Sequence, residues 1–325
     1  MIAVSGRLRL PRSPASLPPP TRARQRVGWR KPKSDKLPGV WTRGIARWYE
    51  VHGRHDLSWR LTTEPWAILV SEVMLQQTQV ARVAGRWESF LSRWPTPDAC
   101  AAAPLSAVLR EWQGLGYPRR ARDLHDTAAV VAARGWPDTE AGLRSLPGVG
   151  AYTARALRVL AFEVTTVPPQ DVNIARLTAR AALGREPDEV RRASIDEQLA
   201  AGRPRGMSAR AFTYALFDAG ALHCRARPSC QRCPLATTCA SRSRLAAAPP
   251  ERRRRSPRYH GSTRELRGAV LRAMLAEPPP ASMDELQSRA GPPAAGRPST
   301  DISLVLDALV HEGLVRSTPR MVRIN

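Results

Sequence analysis

The chain has 325 residues, 51 of them Lys or Arg against 28 Asp or Glu, and a formal net charge of +23. That length allows two or three domains with a substantial core, and the charge favours a polyanionic partner, nucleic acid before membrane. No apolar run approaches the roughly 18 residues of a membrane span, and Arg7, Arg9 and Arg12 interrupt any signal-peptide core. All three lysines sit at Lys31, Lys33 and Lys36, so every other basic residue is Arg. A genome-wide Arg and Ala bias, giving a merely solvated basic surface, is the plain alternative to a nucleic-acid face.

Residues 1–38, rich in Pro and Arg, read as a disordered basic arm or an over-long start. From Val40 to Arg244 the chain reads as helical, without sustained period-2 alternation. A run beginning at Trp66 carries Ser71-Glu72-Val73-Met74-Leu75-Gln76-Gln77-Thr78. On one helix, Glu72, Gln76 and Gln79 would share a polar stripe, with Leu69, Val73, Val80 and Val83 on the apolar flank. A carboxyl emerging from such a stretch is partly desolvated, which favours its protonated form and suits a general acid. The bland alternative is that Glu72 only caps or pairs.

Leu146-Pro147-Gly148-Val149-Gly150 precedes a helix-like run from Ala151 to Phe162. Two glycines opening a helix leave free backbone N–H groups that can grip a phosphate, the form of a helix–hairpin–helix; an ordinary connecting turn fits equally. Asp171 follows Pro168, Pro169 and Gln170 and can be the N-cap of the next helix. It is also the second carboxylate that, with Glu72, sugar-bond cleavage needs: one group protonates the leaving group, the other stabilises an oxocarbenium-like centre.

Behind a helix-like run from Ala209 to Leu222, four of the five cysteines fall together as Cys224, Cys230, Cys233 and Cys239. The C-x5-C-x2-C-x5-C spacing has only one of the two short knuckles usual in structural zinc sites, so a [4Fe–4S] cluster is expected over zinc. Clustered thiols without a disulfide framework suggest a reducing interior, hence a cytoplasmic protein. Cys100, in an Ala-rich run, reads as a buried small hydrophobe. Trp48, Trp87 and Trp112 read as core, and His52 and His55 as an ordinary loop. His223 could support the cluster but reads more simply as a helix-end residue.

After a basic linker at 245–261, residues 262–325 read as a separate module. Leu266, Val270, Leu271, Met274 and Leu275 mark one helix, Ser282 to Glu285 a capping box for a second, and Thr300 the cap of a third. Residues 321–324 read as a closing strand, giving a winged-helix-like unit.

Together, Trp59-Arg60, residues 71–78, Gly114-Leu115-Gly116-Tyr117, residues 146–153, Asp171 with Asn173, and the four cysteines resemble adenine DNA glycosylases of the MutY type, in the helix–hairpin–helix glycosylase superfamily. The resemblance covers about residues 40–244. It implies an all-α, two-lobed glycosylase core at 39–244, with a six-helix lobe (about 67–163) set between the halves of a cluster lobe (39–66 and 164–244). It implies removal of adenine opposite 8-oxoguanine or guanine in double-stranded DNA, by a monomer. In that reading Glu72 is the acid, Asp171 stabilises the sugar cation, and Tyr152 and Asn173 align them. Trp59 and Arg60 line the adenine pocket, Gln77 and Tyr117 enter the duplex, and Gly148 and Gly150 hold its backbone. The cysteines hold a structural [4Fe–4S] cluster.

Bifunctional relatives of the endonuclease-III type carry a Schiff-base lysine where this chain has Tyr152, and no lysine follows Lys36. The other rival, a non-catalytic iron–sulfur DNA-binding regulator, needs no Glu72/Asp171 pair. The chain departs from the family pattern in its C-x5-C first loop, in Val172 where Gly is common, in Pro118 after Tyr117, and in Tyr214 where Gln or Glu is frequent. The family's 8-oxoguanine-reading domain is not recognisable in 262–325.

Overall fold

The computed structural model describes residues 40–164, 167–247, 258–317 and 322–324. The arm read at 1–38 and most of the linker lie outside the described residues. The described helices are α1 (Ile45–His52), α2 (Pro65–Leu75), α3 (Val80–Arg93), α4 (Pro97–Ala101), α5 (Leu105–Glu111), α6 (Arg119–Arg134), α7 (Glu140–Arg144), α8 (Ala151–Leu160), α9 (Val172–Thr178), α10 (Arg192–Gly202), α11 (Ala209–Leu222), α12 (Arg242–Ala247), α13 (Thr263–Met274), α14 (Met283–Ala290) and α15 (Ser299–His311). The strands are β1 (Val315–Ser317) and β2 (Val322–Ile324). α12 runs into the segment read as linker, and α2 to α8 make seven helical segments where six were expected, α4 and α7 having only five residues each.

α2 is apolar on nearly all sides and starts with Pro65 at its first turn, where a missing N–H costs nothing. A helix of that kind must be central. It packs against α3, α6 and α8, and its residues from Trp66 to Met74 are all buried. Phe90 is the hub of an aromatic cluster, with its ring centroid 4.8 Å from Trp94 and 6.2 Å from Trp112. The indole N–H of Trp66 is satisfied by the Trp94 carbonyl at 3.0 Å, and that of Trp87 by the Ala67 carbonyl at 2.9 Å. Trp87, Trp112 and Cys100 are core, whereas Trp48 is only half-buried.

The segment before α2 packs with the segment after α8. Thr42 donates to the Gly202 carbonyl at 2.5 Å, Thr238 to the Trp41 carbonyl at 3.0 Å, and α1 lies on α11. The tightest tie is Asp218 of α11, with a fully buried carboxylate. It accepts from Arg54 N (2.9 Å), Arg54 Nε (2.7 Å), Arg60 Nη1 (2.8 Å) and Arg60 Nη2 (2.9 Å). Burial disfavours its charge, but the Arg60 hydrogen bonds and the two guanidinium charges hold its carboxyl below the usual range.

α2 stops at Leu75 and α3 restarts at Val80, so Gln76 and Gln79 do not continue a polar stripe from Glu72. The break is fixed from a distance by Arg120. Its Nη1 donates to the carbonyls of Val73 (2.6 Å), Met74 (3.2 Å) and Gln76 (2.6 Å). Its Nη2 donates to those of Leu115 (3.1 Å) and Gly116 (3.0 Å) and to Thr78 Oγ1 (3.3 Å). One guanidinium thus terminates α2 and locks two turns together, each holding a non-glycine residue at positive φ: Gln77 at 55° and Tyr117 at 49°. Burial lowers the Arg120 pKa to about 10.

The C-terminal module packs α13, α14 and α15 together and ends in a β1–β2 antiparallel hairpin. Ser262 and Ser282 cap α13 and α14 through their hydroxyls. Thr300 does not cap α15: the helix begins at Ser299, directly after Pro298, without a side-chain cap. β1 escapes a sequence reading because it is three residues long and joined to α15 by a tight turn at Gly313.

Arg120→Met leaves five carbonyls short of a charged donor and should lower the unfolding free energy by about 2–4 kcal/mol in urea denaturation. Arg93→Met, which removes one ion pair whose cationic side chain is more than half exposed, should cost less than about 1 kcal/mol. Equal effects would show that Arg120 is not a structural hub.

Candidate active site

A cleft of about 450 Å³ opens where the Trp59–Arg60 turn, α2, α8, the N-terminus of α9 and α11 meet. It brings together seven of the residues picked from sequence: Trp59, Arg60, Glu72, Gln77, Tyr152, Asp171 and Asn173. Tyr117 is not in the lining; it stands half-exposed nearby, tied to the Gln77 turn by Arg120. Gly148 and Gly150 also lie outside it, in the turn that starts α8.

Glu72 is 6% exposed although α2 holds it at the cleft wall. Burial pushes its carboxyl up to about 7; a hydrogen bond with Tyr152 pulls it down, and the Asp171 charge pushes it up. Asp171 is the N-cap of α9. Its Oδ1 accepts from the Asn173 N–H at 3.0 Å and the Ile174 N–H at 2.6 Å, and its Oδ2 accepts from Asn173 Nδ2 at 2.8 Å. Burial raises its carboxyl and these three donors oppose the rise. The capping role and the chemical role are therefore compatible, because the cap supplies the donors. The pair forms one carboxyl biased towards its acid form facing one furnished with hydrogen bonds for its anion.

The contact chain continues behind Asp171. Asn173 Oδ1 accepts from Arg176 Nη2 at 2.8 Å, and Arg176 Nε donates to the Cys224 carbonyl at 2.5 Å. α9 and α11 approach so closely there that a Cβ on Gly220 would lie 2.9 Å from the Asn173 carbonyl.

Cys224, Cys230, Cys233 and Cys239 line one small cavity with Leu177, Ala181, His223 and Leu235, so the shortened first loop still returns Cys230 to the others. Among the described residues no three His, Cys, Asp or Glu side chains converge closely enough for a single metal ion. Four soft thiols on one small cavity are a donor set of the kind that binds a metal centre. Burial pushes the Cys233 thiol up to about 12 and raises those of Cys224 and Cys239, so thiolates there need a cationic group between them. His223 faces the same cavity and packs edge-on against Trp48, with centroids 5.6 Å apart. His55 bonds the Tyr49 carbonyl at 2.7 Å.

At the hairpin turn, Gly148 has φ +69° and a Cβ there would sit 2.8 Å from the Asp123 side chain, so glycine is required. Gly150 is the N-cap of α8, with no side-chain cap and open space where a Cβ would project. The first amides of α8 are thus uncovered, as an anion site needs.

Sequence reasoning missed Arg54, Arg120 and Asp218, and the buried Gln170 that also lines the cleft. Asp218, a lone acid in the apolar run Ala215 to Leu222, was a signal that a buried cation must meet it. Tyr214 lies between the guanidinium groups of Arg60 (4.5 Å) and Arg210 (5.7 Å), and its buried hydroxyl lacks a partner in the cleft wall. Val172 is 68% exposed at the cleft mouth, so its side chain is accommodated.

Residues 70–197 match the HhH-GPD superfamily of base excision DNA repair proteins. The chain is 40% identical over 274 residues to the adenine DNA glycosylase of Mycolicibacterium smegmatis, covering 82% of this chain and 92% of that one. It is 42% identical to that of Mycobacterium tuberculosis, covering 82% and 88%. The fold resembles a thermostable thymine-DNA glycosylase, with a TM-score of 0.57, 26% identity, and 63% of this chain and 96% of that one covered. The mycobacterial matches cover more of the chain than residues 39–244 alone supply, so they are not confined to the glycosylase core. The chain belongs to the adenine DNA glycosylase family, within the HhH-GPD superfamily of base excision repair proteins.

Proposed function

We propose that this chain is a monofunctional DNA glycosylase that hydrolyses the N-glycosidic bond of adenine mispaired with 8-oxoguanine or guanine. The observation that carries the reading is the buried Glu72, with its carboxyl near neutrality, sharing one cleft with the three-donor Asp171.

Adenine is flipped from the duplex into the cleft against Trp59 and Arg60. Glu72 gives its proton to N7, and the bond to C1′ breaks with the electron pair leaving on the base. Ionised Asp171, held by Asn173 and two backbone amides, stabilises the positive sugar. The carboxylate now on Glu72 accepts a proton from the incoming water, which restores the acid. Tyr152 keeps the Glu72 carboxyl oriented through their hydrogen bond. The unpartnered Tyr214 hydroxyl gives the base edge a donor and an acceptor. Gln77 and Tyr117, held at positive φ on two linked turns, fill the space the base leaves. The first amides of α8 hold a phosphate. Cys224, Cys230, Cys233 and Cys239 hold a [4Fe–4S] cluster, whose contribution when bound is structural.

Release of adenine from an A:8-oxoguanine duplex, followed with and without alkali, tests the reading. Glu72→Gln should slow single-turnover release by about 10²–10⁴-fold while DNA binding persists; a near-normal rate would sink the assignment. For the native enzyme the rate should fall about tenfold per pH unit once pH exceeds the Glu72 value near 7. Stability moves with the same proton. Above its ordinary pKa of 4.5 the unfolded chain has lost the Glu72 proton while the folded chain keeps it up to about 7. Stability is therefore greatest below 4.5 on this account and declines as pH rises through that window. Glu72→Gln removes that slope and should stabilise the protein by about 1–3 kcal/mol at pH 8.

With no lysine beyond Lys36, product strands should stay whole until heated in alkali, and borohydride should trap little covalent complex. Efficient trapping that survives removal of residues 1–38 would contradict this. Anaerobically purified protein should contain about four irons and little zinc; stoichiometric zinc without iron would reverse the cluster assignment.

A further inference from the structure

Gln170 stands directly before Asp171, lines the same cleft and is 7% exposed. Its side-chain Nε2 donates to the Arg192 carbonyl at 2.9 Å and to Asp196 Oδ1 at 2.5 Å. Both partners are acceptors, so the nitrogen end of the amide is set by its contacts. Its main-chain carbonyl accepts from Arg192 Nη2 at 3.2 Å. Three hydrogen bonds thus pin this one residue to the start of α10. The amide oxygen Oε1, by contrast, is buried without a partner. A methionine or leucine would fill the space without stranding an acceptor, so packing alone does not account for an amide here. What accounts for it is the nitrogen and the residues the nitrogen reaches.

Asp196 leads on to another element. Its Oδ1 also accepts from Arg155 Nη1 at 2.8 Å. Arg155 lies on α8, three residues after Tyr152, the hydrogen-bond partner of Glu72. α8 ends at Leu160 and α9 begins at Val172, so chain continuity leaves their spacing open. The Arg155–Asp196–Gln170 contacts close that gap from the side. The charged and titratable groups about Glu72 are Tyr152 of α8, Asp171 before α9, Arg60 before α2 and Tyr214 of α11. Of these, Asp171 is the one joined in sequence to Gln170.

We propose that Gln170 is a positioning residue: through Asp196 it ties the N-terminus of α9 to Arg155 of α8, and so sets the distance of Asp171 from the Glu72–Tyr152 pair. This rests on the glycosylase reading above, and its test is separable from it.

Gln170→Met keeps the length of the side chain and removes the donor. On an A:8-oxoguanine duplex, single-turnover adenine release at saturating enzyme should fall about 10–100-fold, with duplex affinity as in the native chain. Freed from α10, Asp171 lies farther from Glu72 and raises its carboxyl less, so the falling limb of the pH–rate profile should move to lower pH. Asp196→Leu should repeat both effects. Asp196→Asn, which keeps the acceptor, should retain most of the rate. Where Gln170→Met does not fold, Arg155→Met, at a side chain that is 26% exposed, carries the same test from the α8 side. A native rate, a falling limb that stays at the native pH, or a loss confined to duplex affinity overturns the proposal. The decline of stability linked to Glu72 above pH 4.5, followed by urea denaturation, reads the same change without catalysis. In Gln170→Met that decline should end at lower pH than in the native chain. If the native chain releases no adenine from any duplex, the glycosylase reading fails, and the stability profile alone decides: an earlier end leaves the positioning role standing, and an unmoved one overturns it.

Discussion

The cleft depends on the buried pairing of Asp218 with Arg54 and Arg60. α11 comes from the C-terminal part of the core and the Arg54–Arg60 loop from its start, and one carboxylate with four donors joins them. A buried ion pair is not in itself a large gain over apolar packing, but losing one partner strands the other's charge at a cost of about 3–5 kcal/mol. The arrangement also has a geometric consequence. Arg60, held by both of its terminal nitrogens, presents its guanidinium to the face of Tyr214 and to the cleft that Glu72 also lines. The remaining Tyr214 contact, Arg210, is itself anchored to the Leu160 carbonyl at 2.7 Å and the Arg60 carbonyl at 3.0 Å.

What was legible in the sequence was what local chemistry writes. Asp171 behind two prolines announces a capped helix, and the cap bonds are there. The end of α11 and the start of the cysteine loop follow from composition and spacing. The run from Trp66 to Val83 was misread because its interruption is not local. Nothing in Gln76-Gln77-Thr78-Gln79 forbids a helix; Arg120, more than forty residues away, takes the α2 carbonyls that a continuing helix would have used. Thr300 misled for the opposite reason: its side chain could cap, but Pro298 sets the boundary two residues earlier.

The two turns bound by Arg120 deserve comparison with ordinary loops. A non-glycine residue at positive φ stores strain and persists only where its surroundings over-determine it. Here both strained residues, Gln77 and Tyr117, lie within the reach of one guanidinium that also stacks 5.3 Å from the Tyr117 ring. The strain is thus held by a hub rather than by each turn alone. On the proposed reading, in which these two side chains enter the base stack, a backbone that cannot relax when DNA pushes back gives the strain a use.

Three buried carboxylates, Glu72 and Asp171 in the cleft and Asp218 behind Arg60, stand in three different states, and their donors decide which. Glu72, buried and with one hydrogen bond from a phenol, is pushed up to about 7 and can carry a proton at neutrality. Asp171, buried as well, has two backbone amides and one side-chain amide, which oppose the rise that burial causes. Asp218, fully inaccessible, is held low because two guanidinium groups surround it. Burial is common to all three, so it cannot be what assigns their roles. Changing the donors should therefore reassign a role without moving the residue. Replacing Asn173 by Leu removes one of the three donors from Asp171 and should push its carboxyl up further. That relaxes the field that raises Glu72, so the two carboxyls become more alike, and on the proposed reading the division between acid and stabiliser is blurred.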